Sequence, residues 1–363
     1  MNSQSLLDQP RAIRQGEELD LLRLTEYLQQ QFPDIQGAVS VSQFPKGYSN
    51  LTYLIKKGET EWVLRRPPFG ANIRGGHDMG REFRVLSALK GSFTQIPEPM
   101  AFEETGEWIG APFYLMERVR GRILRGNMTP EETPSPELMG QMGDNLVTTL
   151  VNLHQVPLDK PELKALGKPM GYVERQVSGW IKRYGKSKTD DIPEMDRVGE
   201  WLAANMPTDG PPTVIHNDFK YDNLVFDLTE PAKVLAVLDW EMATLGDPWM
   251  DVGTSLGYWV NPDDPDWMKM LNLSPTTLSG NLTRGQLVTR YERISGKTCP
   301  HPTFYYAFGL YKIAVIVQQI YARYKQGLTQ DPRFGGLIMG VNGCAKAAWQ
   351  AIQRDRLDGL FES

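Results

Sequence analysis

The chain has 363 residues, of which 40% are hydrophobic and 23% charged, and its formal net charge is -5. These values are typical of a globular protein with a large core, and the length predicts about two domains or lobes. The acidic excess argues against a dedicated nucleic-acid-binding protein. The two cysteines allow neither a disulfide framework nor a four-thiolate zinc site. No apolar run has signal-peptide or membrane-spanning length, so we expect a cytoplasmic protein without a membrane partner, its oligomeric state left open.

The first third of the chain predicts a small, mainly antiparallel sheet that carries one helix. Leucines at helical spacing, ended by Pro33, predict a leading helix over residues 21–32. Apolar residues at helical spacing predict the helix of the sheet lobe over residues 81–89. Short alternating runs bounded by turn residues predict strands at residues 39–44, 51–56, 61–66, 100–103 and 112–119.

From residue 121 onward, helical patterns dominate. Helices are predicted at residues 138–154, 170–184, 195–205, 285–295, 303–325 and 335–353. Apolar runs at residues 223–226 and 234–238 flank a turn-like segment and predict one hairpin among these helices. A β-rich part followed by a helical part predicts the α+β class. The predicted organisation is a helical extension at residues 1–34, an N-lobe at 35–119 and a helical C-lobe at 120–363.

The segment H-N-D-F-K-Y-D-N at residues 216–223 carries the strongest chemical signal. In phosphoryl transfer to an alcohol, a carboxylate accepts or orients the hydroxyl proton, which is the role expected of Asp218. A carboxamide can bind magnesium without adding negative charge, which is the role expected of Asn223. We expect His216 to brace this loop, and Lys220 to neutralise the migrating phosphoryl group.

A second carboxylate, Asp239, follows the apolar run 234–238, sixteen residues after Asn223. Strand, turn and strand are expected to bring these two side chains together. A carboxylate at the end of a buried strand is costly unless a cation satisfies it, so the pair predicts a magnesium site. Further along, Asp247 and Asp251 are interpreted as hydrogen-bond acceptors that hold loops.

These motifs resemble a known family. The loop at 216–223 is similar to the catalytic loop H-R-D-L-K-x-x-N of protein kinases, and L-D-W-E at 238–241 stands where kinases have D-F-G. The longer pattern V-I-H-N-D-F-K-Y-D-N-L-V-F-D, with V-L-D-W-E-M-A-T-L-G-D-P-W-M-D-V-G after it, resembles the aminoglycoside phosphotransferase superfamily. Within it, the sequence most resembles the branch that includes kinase-like domains fused to acyl-CoA dehydrogenases. The resemblance implies a bilobal protein-kinase-like fold and transfer of the ATP γ-phosphate to a small-molecule hydroxyl.

The resemblance also implies a phosphate-binding loop in the N-lobe. The segment P-K-G-Y-S-N-L-T-Y at residues 45–53 resembles the nucleotide loop of the family. Gly47 would allow a tight turn, and Ser49 with Asn50 would contact phosphate oxygens.

The remaining nucleotide contacts follow from the same alignment. The strand W-V-L-R aligns with the kinase strand V-A-I-K, which puts Arg65 in place of the phosphate-binding lysine. Glu82 matches the helix glutamate that pairs with this cation. The strand F-Y-L-M-E-R-V resembles the hinge, where backbone groups of Glu117 and Val119 would meet adenine.

Two other functions are considered. A nucleotide-binding regulator with weak catalysis is favoured by Arg65 and the glycine-poor loop, but disfavoured by the intact set of Asp218, Asn223 and Asp239. A protein kinase is disfavoured because no A-P-E-like segment follows Asp239.

Charge distribution bears on the substrate. Arginines cluster at positions 118, 120, 122 and 125. The cluster is either an anion-binding site or a solvated strand edge, and we favour the solvated strand edge. Polycationic aminoglycosides would require an acidic pocket, whereas the local bias is basic. Hydroxyacyl-type or other small metabolites are therefore ranked above aminoglycosides as phosphate acceptors.

Overall fold

A computed structural model of the chain describes residues 6–45, 50–69, 78–126, 128–270, 274–329 and 331–361. The helices are α1 (Leu21–Gln31), α2 (Met79–Leu89), α3 (Pro136–His154), α4 (Pro161–Lys164), α5 (Tyr172–Ser187), α6 (Pro193–Ala204), α7 (Pro248–Gly257), α8 (Asp266–Lys269), α9 (Arg284–Ser295), α10 (Pro302–Lys325) and α11 (Leu337–Arg354). The strands are β1 (Val39–Gln43), β2 (Leu51–Lys57), β3 (Thr60–Arg66), β4 (Pro99–Glu103), β5 (Phe113–Glu117), β6 (Thr213–Ile215), β7 (Leu224–Phe226), β8 (Val234–Val237) and β9 (Thr244–Gly246).

The mixed α+β class, with a small antiparallel sheet and a mainly helical remainder, is confirmed. The predicted long helices and the hairpin agree closely with the structure. Helix α7 was not among the predicted helices, although Asp247 caps its first turn by accepting from the amides of Trp249 and Met250, and Pro248 follows at the first helical position. The short helices α4 and α8 and the pairing of β6 with β9 were also not predicted. Within the described residues, no helix has the length and apolar character needed to cross a bilayer.

The chain divides into two compact units. The first unit comprises Met1–Ile123, Pro157–Leu166 and Leu224–Ala243, and the second comprises Leu124–Val156, Gly167–Asn223 and Thr244–Ser363. The first unit therefore includes the predicted N-lobe, together with the N-terminal residues and the β7–β8 hairpin.

The sheet of the first unit has the antiparallel order β1-β2-β3-β5-β4. Side chains alternate between its faces, so Trp62 and Leu64 of β3 join Leu28 of α1 in a buried apolar cluster, while Arg65 points to the other face. Helix α2 packs against β4 and β5, with the Phe83 ring stacked on Phe102. The strand period therefore orients Arg65 toward the helix that carries Glu82.

The second unit is built around α10, which packs against α5, α6, α7 and α11. Gly253 of α7 and Gly309 of α10 lie at a backbone crossing, where a Cβ on either residue would overlap the facing backbone. The aromatic run of α10 is buried in the core of this unit; its members are Phe304, Tyr305, Tyr306, Phe308 and Tyr311. The glycine crossing fixes the spacing of two helices that both reach the loop at residues 216–223.

Candidate active site

The loop at residues 216–223 leaves the short β6–β9 ladder and ends in a 3₁₀ turn at Tyr221–Asn223. Its entrance is fixed by Asp251 of α7, whose carboxylate accepts from the amides of His216 and Asn217, both at 2.7 Å. Asn217 has a φ of 66°, in the left-handed region that asparagine tolerates better than most residues. A sharp backbone turn, stabilised by the Asp251 carboxylate, thus precedes Asp218.

Asp218 is in contact with the other predicted residues of this loop through its side chain and its backbone. Asn223 donates from Nδ2 to Asp218 Oδ2 at 2.9 Å and to the Asp218 carbonyl at 2.8 Å. The ammonium of Lys220 lies 3.0 Å from Asp218 Oδ2. His216 accepts the Asp218 amide at Nδ1 over 3.2 Å. The structure therefore places Lys220 and Asn223 against the Asp218 carboxylate, and His216 against its backbone amide.

Tyr258 is a neighbour of this carboxylate that the sequence pattern did not reveal. Burial, together with the nearby Asp218 charge, raises the pKa of its phenol well above the ordinary value, so the ring stays neutral. The ammonium of Lys220 lies 4.3 Å from the centroid of the Tyr258 ring. This aromatic face supports the cation that contacts Asp218.

Behind the loop, Asp251 belongs to a buried chain of polar groups. His154 Nε2 lies 3.0 Å from Asp251 Oδ2, and His154 Nδ1 lies 2.7 Å from the Tyr291 hydroxyl. Burial alone would raise the pKa of Asp251, but the hydrogen bond from His154 and the His216 amide hold it below its ordinary value. Asp251 is therefore an ionised acceptor that holds the loop backbone.

In the first unit, the guanidinium of Arg65 bridges two predicted site residues. Its Nη1 lies 2.9 Å from Glu82 Oε1, and its Nη2 lies 3.0 Å from Asp239 Oδ1. Glu82 also accepts the Trp240 amide at 3.1 Å, so the residue after Asp239 is tied to α2. Burial alone would lower the pKa of Arg65, but Glu82 and Asp239 raise it well above its usual range, so the guanidinium stays charged.

The other predicted nucleotide contacts are only partly described. Asn50 is buried and donates to Glu241 Oε2 at 2.9 Å, while Gly47 and Ser49 lie outside the described residues. Glu117 ends β5, and its amide donates to the Glu98 carbonyl at 2.8 Å. Val119 follows two residues later and is half-buried.

The arginine cluster is partly neutralised within the first unit. Arg118 lies 2.6 Å and Arg120 lies 2.9 Å from the same oxygen of Glu61. Glu61 contacts two of the four clustered arginines, and its single negative charge offsets one of their positive charges.

The donor chemistry of two predicted metal ligands is compatible with magnesium. The Asn223 amide nitrogen is committed to Asp218, so its Oδ1 is the atom suited to a cation. Asp239 supplies a carboxylate whose side chain is 32% exposed. Magnesium takes oxygen donors and commonly uses one or two protein ligands together with water and phosphate. Among the described residues, no group of three or more His, Cys, Asp or Glu side chains forms a candidate metal cluster.

Kinase-like phosphotransferases are the class that this combination of sheet, helical unit and H-x-D-x-K-x-x-N loop defines. The sequence profile of the phosphotransferase enzyme family (APH) matches residues 40–277, and the chain belongs to this family. Acyl-CoA dehydrogenase family member 11 of Gallus gallus is 34% identical over 325 residues, which cover 87% of this chain and 41% of that protein. The chain thus spans less than half the length of this relative.

Solved structures show the same fold. A Ralstonia eutropha protein, assigned provisionally by its name to the aminoglycoside phosphotransferases, is 30% identical with a TM-score of 0.78, over 93% of this chain and 99% of that one. A spectinomycin phosphotransferase in complex with ADP and spectinomycin is 11% identical with a TM-score of 0.59, over 92% and 99% of the two chains. The expected protein-kinase-like fold and the resemblance to this superfamily are both confirmed.

Proposed function

We propose that the protein is an ATP- and magnesium-dependent phosphotransferase that moves the γ-phosphate to a hydroxyl of a small molecule. The observation that carries this proposal is the environment of Asp218, a carboxylate bonded to Asn223 and Lys220. A carboxylate held in one orientation can accept or direct the proton of an attacking alcohol.

The residues of the loop have distinct roles in this proposal. Asp218 orients the acceptor hydroxyl and receives its proton. Lys220 offsets the negative charge on the transferred group, and His216 keeps the Asp218 backbone in place through its Nδ1. Asn223 holds Asp218 with its amide nitrogen and offers its carbonyl oxygen to magnesium.

The first unit supplies the proposed nucleotide contacts. Arg65, kept charged and oriented by Glu82, contacts phosphate oxygens, and Asp239 is the second proposed magnesium ligand. Gly47, Ser49 and Asn50 remain the proposed phosphate loop, and the backbone of Glu117 and Val119 the proposed adenine contacts. Bound magnesium would neutralise phosphate charge.

The acceptor is proposed to be a hydroxyacyl-type compound or another small metabolite in preference to an aminoglycoside. A polycationic antibiotic binds best against acidic groups, whereas the carboxylate of Asp218 is already paired with the cation of Lys220. The relative named above as an acyl-CoA dehydrogenase family member agrees with an acyl-type substrate.

The substitution Asp218→Ala tests the catalytic assignment. ADP release is measured with hydroxyacyl-CoAs, aminoglycosides, choline-like alcohols and sugars as acceptors. With the best acceptor, we expect kcat to fall by about 100-fold or more, with nucleotide affinity and Tm nearly unchanged. Asp222→Asn is the matched control, because Asp222 shares the loop and lies 3.8 Å from Lys220 but is assigned no role. Full activity of Asp218→Ala would refute the assignment.

The alternative function is a nucleotide-binding regulator with weak catalysis. The direct ion pair between Arg65 and Asp239 favours it, because a cation already occupies the carboxylate proposed to bind magnesium. Thermal-shift measurements with ATP, with and without magnesium, followed by an ADP-release assay, separate the two functions. Magnesium-dependent ATP binding without turnover on any acceptor would favour the regulator. Loss of this binding in Asp239→Ala would assign the metal to that carboxylate.

A further inference from the structure

Lys312 of α10 is a buried cation that the proposed mechanism does not use. Only 2% of the residue is exposed, and its ammonium donates to the Asn217 carbonyl at 2.8 Å. The same nitrogen lies 3.4 Å from Asn217 Oδ1 and 6.0 Å from the centroid of the Trp180 ring. Lys312 thus reaches the loop from a helix that lies far downstream in the sequence.

The contact fixes a particular peptide group. The Asn217 carbonyl belongs to the peptide bond that joins Asn217 to Asp218, and the amide of this bond donates to His216 Nδ1. Lys312 and His216 therefore contact the carbonyl oxygen and the amide group of the same peptide bond. Because a peptide is planar, its orientation restricts the direction in which the Asp218 side chain leaves the backbone.

The backbone at this point requires restraint. Asn217 has a φ of 66°, and non-glycine residues keep the left-handed conformation where the surrounding structure imposes it. Tyr172 donates to Asn217 Oδ1 at 3.1 Å, and Asp251 accepts the Asn217 amide. Lys312 adds the contact on the carbonyl, on the side of Asn217 that leads to Asp218.

The ammonium of Lys312 is charged at the neutral pH at which the proposed enzyme would work. Burial lowers the pKa of Lys312 to about 8, and the carboxylates of Asp218 and Asp251 oppose this shift, whereas Lys220 and Arg183 add to it. At neutral pH the ammonium therefore keeps its proton and three donors. Burying such a charge is costly, and an apolar side chain in a helix core would avoid the cost.

We propose that Lys312 is a positioning residue that holds the Asn217–Asp218 peptide and thereby aims the Asp218 carboxylate at the acceptor hydroxyl. The proposal rests on the proposed phosphotransferase function. Lys312 touches neither substrate nor nucleotide in this scheme, so its loss affects the chemical step and leaves nucleotide binding intact. A misplacement of about 1 Å at a reacting group can cost about 100-fold in rate.

The test compares three variants of the full chain. Lys312→Met keeps the length of the side chain but removes its charge and donors, and Lys312→Arg keeps both. Gln318→Met is the matched control, because Gln318 lies on the same helix, is 1% exposed, and donates to the Ser187 carbonyl at 2.7 Å, away from the loop. ADP release from Mg·ATP is measured with water and with the best acceptor, and hydrogen exchange is followed in the peptide that contains Asn217 and Asp218.

We expect Lys312→Met to lower kcat by about 100-fold with KM for ATP changed by less than about twofold, and to speed exchange of the Asp218 amide. Lys312→Arg should recover most of kcat, and Gln318→Met should match wild type in both measurements. A Lys312→Met variant with the kcat and amide exchange of Gln318→Met would overturn the proposal. If the wild type releases no ADP, the proposed function fails, and amide exchange alone then decides whether Lys312 holds this peptide.

Discussion

The buried ion pair between Arg65 and Glu82 allows a quantitative prediction for Glu82→Gln. The side chains of these residues are 9% and 1% exposed, so the substitution leaves a charged guanidinium in a buried place with one carboxylate fewer. Removing one partner of a buried pair typically costs about 3–5 kcal/mol. Because the new amide can still accept a hydrogen bond and Asp239 remains beside Arg65, we expect about 3 kcal/mol, the lower end of this range.

The same substitution should weaken nucleotide binding. With Glu82 neutral, Asp239 is the remaining carboxylate at 3.0 Å from Arg65 and would be drawn more firmly into that ion pair. Both the proposed phosphate contact and the proposed magnesium ligand are then less available. We expect the Kd for Mg·ATP to rise about tenfold, which corresponds to about 1.4 kcal/mol.

Urea unfolding and calorimetric titration with Mg·ATP measure the two effects. Glu103→Gln is the control, since Glu103 is also buried in the first unit but accepts from the amides of Thr105 and Gly106. It should lose stability without a change in Kd. If the unfolding free energy of Glu82→Gln lies within about 0.5 kcal/mol of the wild-type value and the variant binds Mg·ATP equally well, the bridging role of Arg65 is refuted.

Three further predictions concern the second unit. Because the pKa of Lys312 is lowered in the folded state, the unfolded chain binds more protons than the folded chain between about pH 8 and 10.5. Over this pH range the unfolding free energy of wild type should rise by up to about 3 kcal/mol relative to that of Lys312→Met, as measured by urea unfolding. The lowered pKa of Asp251 has the opposite sign, so wild type should lose stability relative to Asp251→Asn as the pH falls below 3.8, followed by circular dichroism. At pH 7 the variant should be the less stable by about 1–3 kcal/mol, because its amide nitrogen replaces one of the two oxygens that accept from His154 and from the amides of His216 and Asn217. Gly309→Ala places a Cβ against the Gly253 backbone and should lower the unfolding free energy by about 1–3 kcal/mol, with a fall in kcat because α7 and α10 both support the loop; unchanged thermal stability would contradict the close crossing.

Much of the site could be predicted because its residues are close in sequence. Asp218, Lys220 and Asn223 lie within one loop, where the spacing in sequence nearly determines which side chains can be in contact. The pairing of Arg65 with Glu82 follows from a motif alignment and is consistent with strand alternation. Local patterns of this kind are read directly from the chain.

Contacts between distant segments could not be predicted in the same way. Lys312 interrupts an apolar helix, a pattern that does not indicate which loop it reaches. The assignment of the β7–β8 hairpin to the first unit depends on nonlocal pairing, since Arg122 and Phe226 exchange backbone hydrogen bonds at 2.8 Å. Helix α7 could have been found, because Asp247 followed by Pro248 is a helix-start signal.

The contact between Lys312 and the loop also limits how far the chain can be truncated from its C-terminal end without losing that contact. The family profile ends at residue 277, after the complete H-N-D-F-K-Y-D-N loop but before α10 begins at Pro302. A fragment cut at that boundary would keep every motif residue and lose both Lys312 and Gly309. Such a fragment would expose the α7 surface that α10 covers, including the backbone at Gly253. The motif residues and the residues that contact the H-N-D-F-K-Y-D-N loop or pack against α7 therefore have different C-terminal limits in this protein.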